Sequence, residues 1–261
     1  MTPTFQFDTK KFESDLRQLA IVNKREFNGA LRQQAKLLVQ DAMKMTPPFN
    51  GKEMEGVTKQ SWAVQKQAGV NAVTLAVKRL FTVLDESKLG VFGESIRKQI
   101  RSGNIAEARK LLDRFKIRGE ISTATDFEAL HRKYRNKNTG RVAKNARVIC
   151  LDKTQRDVDA YAKKASRSVG KGKAGWLLAA GKLGLKVGAK WITNHSGMPG
   201  LFAEESSKDK LVITVGNKVP HVQRAGRDEN IMAVALKIRA TKLEADLKRT
   251  IERVAKWANR K

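Results

Sequence analysis

Seven cations, Arg132, Lys133, Arg135, Lys137, Arg141, Lys144 and Arg147, share one stretch with no carboxylate between Ala129 and Leu151. Cations at this density displace the counterions of a polyanion, and they need no fixed order to do so. Neutralising about seven phosphates of a duplex would give a log–log salt slope of roughly −6. The stretch carries no element that reads base edges, so a DNA contact here is expected to be sequence-independent. An acidic protein surface is the competing partner. Asn136, Asn138 and Gly140 put the run on a loop. Lys171 and Lys173 extend the set within Val169-Gly170-Lys171-Gly172-Lys173-Ala174-Gly175-Trp176. Unpaired N–H groups at the start of a helix at Trp176, with two lysines beside them, could gather an anion. Equally, the glycines could serve just to let Trp176 pack closely.

Other chemistries fail on spacing. Gly170-Lys171 and Gly172-Lys173 lack the glycine five positions upstream and the hydroxyl that follows in a phosphate-binding loop; Ala165 or Arg167 and Gly172 or Ala174 stand there instead. His131, His195 and His221 are isolated from one another and from metal-spaced ligands, and the lone Cys150 rules out cysteine-rich zinc sites. The pairs Asp126/Glu128, Asp157/Asp159 and Glu204/Glu205 have no lysine at the strand spacing of metal nucleases. Positions two apart on a helix, such as Asp157 and Asp159, do not face each other. Cys150 sits in an apolar run, which fits an inert buried thiol. No nucleophile elbow is present. The expectation is a non-enzyme without catalytic residues, metal or cofactor.

Composition points the same way. Lys and Arg number 53 against 26 Asp and Glu, for a formal charge of +27 and a pI near 10.4. A field of that sign favours nucleic acid, an anionic membrane or an acidic protein. No apolar run approaches the roughly 20 residues of a membrane span. Thr2-Pro3-Thr4-Phe5 shows no basic leader. A single cysteine forms no internal disulfide, as expected for synthesis in a reducing compartment. Aromatics are 6% of the chain, so stacking on bases is not expected as the main mode of binding.

These residues need a scaffold. Phe27, Leu31, Ala35, Leu38, Ala42 and Met45 form one helical stripe. Thr46-Pro47-Pro48 stops it, because proline cannot continue the ladder and disfavours helix at the residue before it. Asn50-Gly51 then turns the chain. Upstream, Phe5 and Phe7 suggest an extended arm, Asp8 or Thr9 a cap, and Phe12, Leu16, Leu19 and Ala20 an earlier part of the same helix. Residues 50–65 read as loop and 67–84 as helix. Short helices follow on the stripes Phe92, Ile96, Ile100, then Ala108, Leu111, Leu112, Phe115, then Phe127, Leu130, Tyr134, the last capped by Thr123 or Thr125. Residues 147–151 suggest a strand and 152–168 another helix. Lys210 to Val215 alternates as a half-buried strand, turned by Gly216-Asn217. Asp228 can cap a long last helix on Leu236, Ala240, Leu243, Leu247, Ile251, Val254 and Ala258. The expected fold is α+β and predominantly helical: long N- and C-terminal helices packed on a small antiparallel sheet, with a helical basic insertion. Its parts are 1–83, 84–207 as the insertion, and 208–261.

The helix ending in Thr46-Pro47-Pro48 and a glycine loop resembles the head–tail joining and tail-completion proteins of tailed bacteriophages. The strand from Lys210 to Val215 and the helix from Asp228 to Ala258 match the closing half of that pattern. The segment from Val169 to Trp176, with Trp191-Ile192 and His195 after it, is similar to a stretch recurrent in phage virion proteins. The basic neighbourhood of Gly140-Arg141-Val142 fits as well. The likeness covers about half the chain, and the long helical middle departs from the compact family pattern. It implies a structural virion protein, assembled in the host cytoplasm into a homo-oligomeric ring at the neck or upper tail. Such a ring touches other neck or tail proteins and surrounds genomic double-stranded DNA. Two other classes remain open from the residues alone: a sequence-independent nucleic-acid-binding protein of packaging or nucleoid type, and a nuclease.

Overall fold

A computed structural model describes the chain apart from residues 1–9, 51–54, 85–88, 123–125, 137–140, 151–152, 208–209, 224–226 and 259–261, and apart from some side chains of the two terminal helices, including all of 10–27. The expectations at Phe5, Phe7, Asp8, Thr9, Thr123 and Thr125, and the side-chain stripes before Asn28 and at Leu243, Leu247, Ile251, Val254 and Ala258, lie outside the described residues, as does the side chain of Asp228. In chain order the elements are α1 (Lys10–Met45), a 3-10 turn (Glu55–Lys59), α2 (Trp62–Leu80), β1 (Phe81–Val83), α3 (Val91–Arg101), α4 (Ile105–Arg114), β2 (Glu120–Ser122), α5 (Phe127–Lys133) and β3 (Val148–Cys150). Then come α6 (Gln155–Ser166), α7 (Lys171–Ala174), α8 (Leu177–Lys182), α9 (Lys190–Thr193), β4 (Gly200–Ser206), β5 (Leu211–Asn217), α10 (Pro220–Gln223) and α11 (Arg227–Ala258). The protein is α+β and predominantly helical. It divides into two compact units, residues 1–69 with 169–261, and residues 70–168. Residues 169–207, expected with the basic insertion, fall in the first unit.

In the first unit, Leu31, Ala35, Leu38, Val39, Ala42, Met43 and Met45 of α1 are buried together with Trp176, Ile192, Ile213, Val215, Ile231 and Met232. Full burial of each large apolar side chain is worth about 1.5–3 kcal/mol, so this core is what orders the surrounding short helices. β4 and β5 pair antiparallel, from Gly200 opposite Asn217 to Ser206 opposite Leu211. Leu211, Ile213 and Val215 are buried while Val212 and Thr214 are half-buried, which is the period-two pattern of the sequence. Gly216 and Asn217 belong to the strand instead of turning it. Helix α1 packs on α11 and β5. Between the two helices Arg239 Nε donates to Asp41 Oδ2 at 2.7 Å, with side chains 12% and 7% exposed.

The second unit is a parallel sheet in the order β1-β3-β2. The central strand Val148-Ile149-Cys150 is buried throughout. Val148 and Cys150 join Val77, Leu80, Phe81, Leu130, Val158 and Ala162 on one side. Ile149 joins Ile96, Ile100, Ala108 and Leu112 on the other. Helices thus cover both faces, and a strand buried on both faces shows no alternation. Phe81, Phe127 and Tyr161 meet as an aromatic cluster, with Phe81 4.7 Å from Phe127 and Phe127 5.4 Å from Tyr161 between ring centroids.

Several local expectations are revised. Residues 50–65 hold the 3-10 turn and the start of α2. The helix expected to Leu84 ends at Leu80, and Phe81–Val83 continues as a strand. Strands of three residues are too short for a period, and parallel pairing is made by partners distant in sequence. Asp126 caps α5 by accepting from the Glu128 N–H at 2.8 Å. Thr154 caps α6 in a capping box with Asp157. Phe92 and Phe115, placed by periodicity on core stripes, are exposed.

Candidate nucleic-acid interface

The basic run is not one loop. Arg132 and Lys133 close α5, where cations oppose the negative end of the helix. On either side of residues 137–140, Arg135 bridges Val142 antiparallel, Asn136 N donates to Arg141 O at 2.8 Å, and Ala143 N to Tyr134 O at 3.1 Å. Lys137 and Gly140 lie outside the described residues. Arg135, Arg141 and Lys144 are exposed. Arg147 is half-buried and donates to the Ala146 carbonyl at 2.7 Å.

Folding also brings carboxylates that the linear run lacks. Lys133 Nζ donates to Glu120 Oε1 at 2.8 Å, and Tyr134 hydrogen-bonds the same carboxylate. Arg132 lies 3.6 Å from Glu128, whose other oxygen meets Lys164 at 3.2 Å. Exposed pairs of this kind are held weakly, so a phosphate can displace the carboxylate from either cation. The surface is therefore cationic with exchangeable pairs.

Lys171 is exposed. Lys173 is not: its side chain is fully buried, with relative exposure of 0%, so it cannot meet a polyanion at the surface. Its Nζ donates to the carbonyls of Met43 at 3.0 Å, Lys44 at 2.9 Å and Thr46. Three N–H groups of one ammonium thus meet three carbonyls at the C-terminal end of α1, where four such groups have no partner within a helix. Burial, and then the charge of Lys44, lower its pKa well below the ordinary lysine value; the negative end of α1 acts in the opposite sense. Trp62 lies under both cations, 5.8 Å from Lys173 Nζ and 5.6 Å from Lys44 Nζ.

Backbone constraints explain the rest of this segment. Gly170 sits at φ 105, and a Cβ there would be 2.5 Å from the Trp191 carbonyl oxygen. A Cβ on Gly175 would be 2.1 Å from Asn217 Oδ1. Asn217 Nδ2 donates to the Gly172 carbonyl at 2.7 Å, and Trp176 Nε1 to Thr46 Oγ1 at 2.8 Å. His195 Nε2 lies 3.2 Å from the Val169 carbonyl oxygen. The glycines allow close approach of Trp191 and Asn217, whereas the sequence reading had them serve Trp176. The following helices, Lys171–Ala174 and Leu177–Lys182, are too short to sum a useful dipole for an anion.

Several other titratable groups are set by local partners or by burial. Asp157 is held below the usual carboxylate range, chiefly by the backbone and side chain of Thr154, and Asp159 by Lys78. Burial pushes the Cys150 thiol up to about 11. His131 Nδ1 lies 2.9 Å from the Tyr161 hydroxyl. Burial, then Arg135, lowers the His131 pKa, while Tyr161 is pushed up to about 12, mainly by burial. Among the described residues, no group of three His, Cys, Asp or Glu comes together to hold a metal, and no helix is long and apolar enough to cross a membrane.

No family model, curated protein or solved structure matches the chain.

A second cationic stretch escaped the reading of the sequence. Between Asp159 and Glu204 there is no carboxylate at all. Within it Lys182, Lys186 and Lys190 are exposed in the first unit, as is Lys171. The missing acids were the available signal; wide glycine and leucine spacing between the lysines hid it.

Proposed function

We propose that this chain is a structural virion protein of a tailed bacteriophage. In this reading it forms a homo-oligomeric ring at the neck or upper tail, completes the tail and joins it to the head around the DNA channel. Long N- and C-terminal helices on the small antiparallel sheet are the ring-forming scaffold, and residues 70–168 are an insertion carrying the basic run. Assembly takes place in the host cytoplasm, with other neck or tail proteins as neighbours and the genomic duplex as a sequence-independent ligand. The protein acts by placement, not by catalysis.

One observation carries the reading. Two of the stretches on which the phage likeness rests are far apart in sequence and pack on one another: Lys173 and Trp176 bond at Thr46. Within the second stretch, Gly170 abuts Trp191 and His195 meets Val169. That packing supports reading the proline stop and the glycine-rich segment as parts of one scaffold. The charge of +27 supports the DNA side of the reading, because a ring repeats it around a polyanion.

The deciding experiment is immunogold electron microscopy of virions from a phage that encodes the chain, paired with light scattering of the purified protein. Label at the head–tail junction and a closed oligomer are expected. A monomer that binds DNA and is absent from virions would replace this reading with a free packaging or nucleoid-type protein. Metal-dependent cleavage of DNA, lost with one carboxylate, would replace it with a nuclease.

A further inference from the structure

Helices α3 and α4 form a hairpin whose inner faces place Ile96, Ile100, Ala108 and Leu112 in a core. Phe92 and Phe115 meet at one end of it, outside that core. Their ring centroids are 5.6 Å apart at 59°. They are 43% and 36% exposed, and Val91 beside them is 85% exposed.

The end of α4 adds a second feature. Ile117 N donates to Leu112 O at 3.0 Å and Lys116 N to Asp113 O at 2.9 Å. This pair of bonds is the Schellman ending, and Ile117 packs against the core that includes Leu112. Its left-handed residue is ordinarily glycine, because a Cβ is strained there. Here it is Lys116, at φ 57, the one non-glycine with positive φ among the described residues. The helix ending has no need of a lysine. What lysine contributes is an exposed cation beside Phe115, flanked by exposed Arg114 and Arg118. Nearby carboxylates are engaged: Asp113 lies 3.7 Å from Arg109, and Glu120 binds Lys133 and Tyr134. Glu94 is the carboxylate in the first turn of α3.

We propose that this end of the hairpin is a stacking platform for an unpaired stretch of nucleic acid. Bases stack on Phe92 and Phe115, and Arg114, Lys116 and Arg118 hold the flanking phosphates. Charge and size select this occupant. The cations call for a polyanion. Two partly exposed rings and a valine fall far short of the roughly 800 Å² per side of a stable protein interface, but they match one or two bases. Membrane adsorption uses a continuous apolar helix face, whereas the apolar faces of α3 and α4 are committed to the core. A duplex keeps its base faces stacked inside, so the rings distinguish unpaired from paired strands. This goes beyond the duplex contact proposed for the basic run and does not depend on it.

The test measures fluorescence anisotropy of the full-length protein with a labelled oligothymidylate and with a duplex of the same length. The variants are Phe92→Ser with Phe115→Ser, and Lys116→Gly alone. The double variant is expected to weaken oligothymidylate binding by about tenfold or more while changing duplex binding by less than about twofold. Lys116→Gly is expected to weaken oligothymidylate binding several-fold while the thermal midpoint holds or rises, since glycine relieves the left-handed position. If the double variant misfolds, the glycine variant decides alone. Unchanged oligothymidylate affinity in the folded variants overturns the proposal, as do equal losses for both probes. It is also overturned if the rings govern self-association or binding to phosphatidylglycerol vesicles and leave oligothymidylate binding intact.

Discussion

Trp176 Nε1 donates to Thr46 Oγ1 at 2.8 Å across 130 residues of sequence. Thr46 Oγ1 in turn donates to the Ala42 carbonyl at 2.8 Å. The hydroxyl thus joins the last turn of α1 to the glycine-rich segment, and Lys173 covers the same helix end with its ammonium. The proline stop and the Gly-Lys-Gly-Lys segment, which look like separate signals in the sequence, are two halves of one helix termination.

Lys173→Met should therefore destabilise the protein by about 2–4 kcal/mol, because it leaves buried carbonyls of α1 without a donor. Lys171→Met should leave the unfolding midpoint unchanged. Denaturant titrations of the two variants check this contrast; equal effects would contradict the cap.

The buried pair Asp41–Arg239 ties α1 to α11. Removing one partner strands the other charge, so Asp41→Asn or Arg239→Met should cost about 3–5 kcal/mol. Replacing both together with apolar residues should cost less than the sum. A double-mutant cycle in chemical unfolding measures that coupling. The exposed pair Arg32–Glu204 should show no such effect.

Stability should fall on mild acidification. The pKa of His131 is lowered in the folded protein, so the unfolded chain takes up the proton first as pH drops below the ordinary imidazole value near 6.5. The stability present above that value is lost as pH falls through the folded pKa. The thermal midpoint is expected to decline between about pH 7 and pH 5. His131→Gln should flatten that part of the profile while keeping a polar partner for Tyr161.

Cys150 should resist thiol reagents in the folded state. With its pKa pushed up to about 11, only about one thiol in a thousand is ionised at pH 8, and the side chain is buried. Labelling by a coloured disulfide reagent should be orders of magnitude slower in buffer than in denaturant. Rapid labelling of the native protein would rule out the buried β3 position.

Removing Arg132, Lys133 and Lys144 together should shrink the salt slope for duplex binding by about 0.9 for each cation that meets a phosphate. Folding should be little affected, since all three side chains are exposed. Fluorescence binding curves at several salt concentrations measure the slope, and an unchanged slope would remove these residues from the interface.

Local patterns carried much of the fold. The stripe from Leu31 to Met45 had to bury one face, Pro47 and Pro48 had to end it, and Leu211, Ile213 and Val215 had to share a side of a strand. These follow from helical and strand periods and from the missing proline N–H, which are properties of neighbouring residues. The parallel sheet was not legible in the same way. Phe81–Val83 and Glu120–Ser122 become strands because Val148–Cys150 lies between them, and no short segment encodes that partner.

The candidate sites divide along the same line. Charge is additive, so the sequence alone determined that this protein carries a large positive field and a dense basic run. Direction and pairing are not additive. Tertiary structure alone decided that Lys171 faces solvent while Lys173 turns inward onto the end of α1, two residues apart in the same glycine-rich segment. It also set Glu120 against Lys133, and left Phe92 and Phe115 outside the core to which their spacing had assigned them. The physical reason is that burial and hydrogen bonding depend on which distant segment arrives alongside, and a linear pattern holds no record of that arrival.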